Sequence, residues 1–399
     1  MWRRVKAILL LIAFLITLAY LTIIGLPEYR DLKKQNNDNA KTGVSKVSDM
    51  ESKAKDVLND MTLEEKVYQM FMVTPEAVTG LGQVTQAGDT TKEALNNYPV
   101  GGIIYFAQNF ISPDQTSLMI KNTQKFSKIP LFIGVDEEGG KVARLGNNDK
   151  MGVTKYPPMA QVGKTGDENK AYDVGKTLGK ELSDLGFNLD FAPVSDIVTN
   201  PENKVIGDRA FSTDAKMDAK MVSAVVKGLQ ENKVSACLKH FPGHGSTSAD
   251  THNGYAQTTR TEDELKALEF IPFEAGIKEG SDFVMVSHIS AVNIDSSGAP
   301  ATLSEKIVGG LLRGNLGFNG IIITDAMNMG AIVKNYSPEE AAALSVLAGC
   351  DIILMPEDLK RAADGVIQAI NSGKITEARI NESVLRILTL KAQKGMLDK

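Results

Sequence analysis

Residues 239–255 read KHFPGHGSTSADTHNGY, and this one stretch holds three of the chain's four histidines, His240, His244 and His252, together with Asp250. Imidazoles at this density fit three kinds of chemistry: a metal site, a solvated glycine- and serine-rich loop with no task, or a loop that moves protons. A histidine titrates near neutrality, so it can give a proton and take one back. A nearby carboxylate can orient such a ring and favour its charged form. The metal reading is that of a metal-dependent barrel hydrolase using His240, His244 and His252. No Cys/His pair has zinc spacing, and Cys237 and Cys350 each sit beside apolar runs, where buried free thiols are expected. No metal or other cofactor is expected. A further carboxylate, Asp325, lies at the end of the apolar run GIIITDA, residues 320–326. Held on a rigid strand end, it can stay ionised and aligned.

Such side chains need a scaffold. Eight short apolar runs recur along the chain: QMFMV (69–73), GGIIYF (101–106), PLFIGVD (130–136), NLDFAPV (188–194), VSACLKH (234–240), DFVMVSH (282–288), GIIITDA (320–326) and DIILMP (351–356). They are mostly continuous rather than alternating, the pattern of parallel strands covered on both faces. Helix starts fall between them. Ser112-Pro113-Asp114-Gln115, Thr261-Glu262-Asp263-Glu264 and Ser337-Pro338-Glu339-Glu340 have capping-box spacing, two of them with proline at the first helical position. Eight strands alternating with helices predict an α/β fold, a single (β/α)8 TIM-type barrel. A doubly wound open sheet is the alternative, and no GxGxxG follows the early strands to support nucleotide binding. A barrel carries its chemistry at the C-terminal strand ends. Asp136, Asp190, Lys239, His240, His288 and Asp325 all fall there, and are expected to share one rim.

The N-terminus stands apart. Arg3, Arg4 and Lys6 precede AILLLIAFLITLAYLTIIGL, residues 7–26, which carry no charge. About 20 apolar residues cross a bilayer core, no A-x-A cleavage pattern closes the run, and the positive flank stays inside. The expected organisation is a cytoplasmic stub and transmembrane signal anchor over residues 1–26, a flexible polar stalk over 27–50, and a catalytic domain over 51–399. The chain is then a single-pass protein of the cell membrane with its domain outside the cytoplasm; secretion after signal cleavage is the alternative. The net charge of −5 and the lack of a basic block beyond the N-terminus give no reason to expect a nucleic-acid partner.

Several motifs in order resemble glycoside hydrolase family 3, in its β-N-acetylhexosaminidase branch. They are MTLEEKVYQMFMV (61–73), VDEEGGKVARL (135–145), NLDFAPVSDI (188–197), VIGDRAFS (205–212), KHFPGHGSTSADTH (239–252), ITDAMNMGAI (323–332) and ARINESVLRILTLK (378–391). The resemblance spans roughly residues 55–393. Glu137 and Lys141 stand where many relatives carry glutamine and arginine, and Ser246 where many carry aspartate.

The resemblance implies a retaining exo-β-N-acetylglucosaminidase acting on a carbohydrate, with peptidoglycan-derived fragments as the natural substrate. Asp325 is its nucleophile. Many family members take their acid/base from a second domain; here about 40 residues follow the eighth run, room for the last helix and little more, so the barrel's own loops are expected to supply it. By resemblance His252 is the acid/base and Asp250 its partner, while Asp136, Arg144, Arg209, Lys239 and His240 contact the sugar hydroxyls. His244 reads as a structural loop residue and His288 as a wall of the site. Glu137 and Glu138 are the reserve candidates for the acid. A β-glucosidase or a GlcNAc phosphorylase on the same barrel is the near alternative.

Overall fold

The computed structural model describes residues 2, 49–247 and 256–398. The predicted anchor (7–26), most of the stalk, and Asp250 and His252 lie outside the described residues. Contacts divide the chain into two units, Met1–Ala54 and Lys55–Lys399, and every element below belongs to the second. Among the described residues no helix is long and apolar enough to cross a membrane.

All eight apolar runs form strands: β1 (Phe71–Val73), β2 (Gly102–Ile104), β3 (Phe132–Val135), β4 (Leu189–Asp190), β5 (Ser235–Phe241), β6 (Phe283–Val286), β7 (Ile321–Thr324) and β8 (Ile353–Leu354). Each pairs in parallel with its sequence neighbour, and β8 pairs with β1. A parallel bridge between Ile323 and Ile352 joins β7 to the start of β8. The sheet therefore curls into a barrel, and the open-sheet alternative is excluded. Helices follow every strand, from Pro75–Thr79 after β1 to Leu359–Asn371 after β8, and Glu377–Gln393 closes the described fold.

The strands are shorter than the apolar runs for local reasons. Thr62 and Glu65 make a reciprocal capping box, and the helix it starts, Leu63–Gln69, claims Gln69 before β1 begins. Beyond β4, Pro193 has no N–H to give, and pairing shrinks to a bridge between Val194 and Lys239: Cys237 N–H donates to the Ala192 carbonyl, Lys239 N–H to that of Pro193, and Ser195 N–H to that of Lys239. Of the three predicted capping boxes only Thr261/Glu264 is reciprocal. Ser112 and Ser337 accept the expected N–H bonds, but the Gln115 side chain turns to the Ile111 N–H instead.

Inside the barrel Phe132 and Phe283 meet edge to face at 5.1 Å. At the N-terminal ends of the strands, away from the predicted chemistry, the fully buried Lys391 donates to Gln69 Oε1 at 2.8 Å and lies 5.1 Å from the Phe132 ring centroid. The C-terminal ends carry the cavity.

Candidate active site

A cavity of about 370 Å³ opens at the C-terminal strand ends. The predicted nucleophile and the five predicted sugar contacts all line it: Asp325, Asp136, Arg144, Arg209, Lys239 and His240. Asp250 and His252 lie outside the described residues, beyond Thr247.

The strand ends explain how these side chains converge. Asp136 is the first residue after β3. The hairpin that follows, Glu137–Gly139 against Val142–Ala143, turns the chain back so that Arg144 lies over Asp136. The Arg144 N–H donates to the Asp136 carbonyl, and Nη2 to Oδ2, both at 3.2 Å. The guanidinium also sits 5.3 Å from the Phe106 ring centroid, and its Nε is buried with no partner among the described residues. Lys239 and His240 are consecutive, and in a regular strand their side chains would face opposite ways. Between Leu238 and Phe241 the pairing of β5 with β6 slips by one residue, a bulge that lets both line the cavity.

One carboxylate ties the cations together. Glu138 is buried; Arg209 grips it with two bonds (Nε 2.8 Å, Nη2 2.7 Å), and Lys239 Nζ lies 2.6 Å from Oε1. Lys239 also reaches Asp136 Oδ1 at 2.9 Å. Burial would raise the Glu138 pKa, but the two cations outweigh it and hold the group well below the carboxylate range. Lys239 moves the opposite way: burial lowers it, yet Asp136 and Glu138 push it above the usual lysine value. Glu138 is therefore an acceptor and has no proton to donate. Glu137 is no better placed as the acid. Burial pushes it up to about 7, but its oxygens accept the N–H groups of Leu145 (2.8 Å) and Gly146 (2.9 Å), which fixes the Arg144 loop from behind.

Asp196 was not singled out by sequence reasoning. Fully buried, it accepts from His240 Nδ1 at 2.7 Å, from the His240 N–H at 3.2 Å and from the His244 N–H at 2.6 Å. Burial raises its pKa, and the His240 and His244 contacts more than reverse this. An ionised carboxylate only accepts, so Nδ1 of His240 carries a proton and Nε2 is left for the cavity. The signal was present in NLDFAPVSDI, but an aspartate beyond a strand end reads as a helix cap as readily as an anchor.

Asp325 follows β7, half-buried at the cavity. Its N–H bonds the Val286 carbonyl of β6 at 2.8 Å, and Oδ1 accepts the Ala326 N–H at 2.8 Å. Burial would raise its pKa; His288, His240, the Ala326 N–H and Lys239 bring it below the ordinary aspartate value. It is an ionised, oriented carboxylate with one face on the cavity.

Two rim expectations fail. Asp190 is buried behind the hairpin, where Oδ1 accepts the Glu137 N–H at 2.9 Å, and burial raises its pKa well above normal. It secures the β3–β4 edge and is not on the cavity wall. His288 is also fully buried: Nδ1 meets Thr302 Oγ1 at 2.8 Å and Nε2 the Ala326 carbonyl at 3.0 Å. It braces the segment after Asp325 and does not form a wall of the cavity. Conversely, Met355 lines the cavity in the left-handed region (φ 47°) just before Pro356, a conformation that neither residue type favours.

Residues 62–390 match the glycosyl hydrolase family 3 N terminal domain. The chain belongs to glycosyl hydrolase family 3. It is 32% identical over 326 residues to beta-hexosaminidase A of Pseudoalteromonas piscicida, covering 75% of this chain and 54% of that one. It is 36% identical over 267 residues to a beta-hexosaminidase of Tolumonas auensis, covering 66% and 77% respectively. Among solved structures, a family 3 beta-N-acetylglucosaminidase from Paenibacillus sp. FPU-7 superposes with a TM-score of 0.79 and 38% identity, over 85% of this chain and 64% of that one. The chain thus spans about half of the first relative and under two thirds of the solved structure.

Proposed function

We propose that this family 3 chain is a retaining, exo-acting β-N-acetylhexosaminidase that hydrolyses terminal β-linked N-acetylglucosamine. The observation that carries the reading is Asp325, an ionised carboxylate facing a cavity walled by charged groups suited to sugar hydroxyls. A cavity of about 370 Å³ is at the small end of ligand pockets (about 300–1,000 Å³) and suits one terminal sugar.

In this reading Asp136, Arg144, Arg209, Lys239 and His240 hold the sugar. Asp325 attacks the anomeric carbon while His252 gives its proton to the leaving oxygen, and a glycosyl-aspartate forms. Neutral His252 then takes a proton from water as the water oxygen bonds the anomeric carbon and the bond to Asp325 breaks, which releases the sugar with retained configuration. Asp250 orients His252 and favours its charged form. The cations Arg144, Arg209 and Lys239 each face a carboxylate, which supports water rather than a phosphate anion as acceptor. Names of relatives support the GlcNAc specificity. Residues 7–26 are uncharged, which supports a membrane-anchored enzyme outside the cytoplasm acting on peptidoglycan-derived glycans.

The test is turnover of nitrophenyl β-GlcNAc beside nitrophenyl β-glucoside, each with and without phosphate. Preference for the GlcNAc substrate, with free sugar as product in both buffers, is expected. Preference for the glucoside, or sugar 1-phosphate formed in phosphate buffer, would sink the reading.

A further inference from the structure

His244 has a bonding pattern that a purely structural loop residue would not need. It is 2% exposed and lines the cavity next to His240, the two rings 6.1 Å apart. Its backbone is fixed. The N–H donates to Asp196 Oδ1 at 2.6 Å, and the carbonyl accepts from Asn203 Nδ2 at 2.8 Å. Glycine flanks it on both sides of necessity. Gly243 has φ 123°, and a Cβ on Gly245 would lie 1.9 Å from the Ile197 carbonyl oxygen. Ring Nδ1 meets Thr247 Oγ1 at 3.0 Å. Ring Nε2 is buried with no partner among the described residues. A buried ring nitrogen is a donor or an acceptor that needs a partner.

We infer that His244 is a substrate-binding residue whose Nε2 hydrogen-bonds a hydroxyl of the sugar in the cavity. The inference rests on the hexosaminidase reading for the class of ligand. A hydroxyl fits either ring tautomer, since it can donate to a bare Nε2 or accept from Nε2–H. Thr247 serves both as well: its hydroxyl can donate to Nδ1, or turn to the His244 carbonyl 3.0 Å away and accept from Nδ1–H. Burial holds the His244 ring below its ordinary pKa, which favours the neutral imidazole.

The competing role is structural, through Nδ1 and Thr247, and two amides separate the roles. Asparagine places its polar atoms where Nδ1 sits; glutamine places them where Nε2 sits. His244→Asn keeps the Thr247 bond and loses the cavity-facing nitrogen, so kcat/KM on nitrophenyl β-GlcNAc is expected to fall about 10–100-fold, the range for leaving one polar group unpaired. His244→Gln is expected to stay within about fivefold of the wild-type chain. Against a set of monodeoxy substrates, the Asn variant is expected to lose nothing further on the one that lacks the bonded hydroxyl. A wild-type His244→Asn with an impaired His244→Gln would overturn the inference in favour of the Thr247 role; so would equal losses on every deoxy substrate. Should either variant fold poorly, the intact chain suffices: with ¹⁵N-histidine and only four histidines, the His244 Nε2 resonance is expected to move on adding GlcNAc, and an unmoved resonance in a saturated complex contradicts it. A wild-type chain inert towards every GlcNAc glycoside would sink the hexosaminidase reading instead.

Discussion

Asp196→Asn probes a group that touches no cavity yet orients one that does. All three of its partners are N–H donors: His240 Nδ1 and N on Oδ2, and His244 N on Oδ1. Asparagine offers one accepting oxygen and an NH2, so whichever way it turns, a donor faces a donor. At least one bond to a charged acceptor is lost, about 1.5–3 kcal/mol. At 1.36 kcal/mol per tenfold, a loss felt wholly in the transition state lowers kcat/KM by ~10–150-fold. His240 can also take its other tautomer once the carboxylate is gone, which changes what Nε2 presents to the substrate. The assay is steady-state turnover of nitrophenyl β-GlcNAc beside a thermal melt of each protein. The expected result is the loss in kcat/KM at a temperature where the variant is fully folded. A variant within about threefold of wild type, with only its melting temperature lowered, would show that Asp196 supports the loop and does not orient His240.

Three further outcomes follow from the buried charges and the proposed acid/base. Glu138→Gln leaves Lys239 and Arg209 short of their shared partner and is expected to destabilise the chain by about 3–5 kcal/mol, the cost of breaking a buried ion pair; an unchanged urea midpoint refutes this. Burial lowers Lys391 from 10.5 to about 7. The unfolded chain therefore binds the extra proton between about pH 7 and 10.5, and stability rises with pH across that window. Lys391→Met is expected to remove this slope and add about 2–4 kcal/mol below pH 7, taking a ceiling of about 5 from the shift and allowing for an unpaired Gln69; parallel melting profiles for both proteins from about pH 6 to 10 would contradict it. His252→Ala is expected to cost ~10²–10⁴-fold on a natural GlcNAc glycoside but to leave a burst on a dinitrophenyl substrate, because that leaving group needs little protonation; equal losses on both with no burst would mean that His252 does not move protons.

The barrel was legible because its signal is repeated. Eight apolar runs with helices between them admit few topologies, and no single strand end had to be right. Strand lengths were not legible: Gln69 went to a helix and the pairing around Pro193 thinned to a single bridge, both local effects that hydrophobicity does not register. Among site residues, those at β3, β5 and β7 converged because strand ends share one rim. Asp190 and His288 have the same sequence signature and turn away, since the direction of a side chain past a strand end depends on the next bond, here to the Glu137 N–H and to the Ala326 carbonyl. Glu138 and Asp196 hold the site together through long-range contacts with Arg209, Lys239 and His240, and such contacts leave no periodic trace. Met355 was hidden for a related reason: a residue before proline reads as extended, and only the folded chain holds it at positive φ.

The central claim is that Asp325 attacks the sugar. A 2-fluoro sugar with a good leaving group, added to the intact chain, should stop turnover with one covalent label, and peptide mass spectrometry should place that label on Asp325. Asp325→Ala should take up none. A label on any other carboxylate, or an enzyme that turns the inhibitor over without ever carrying a label, would contradict the account.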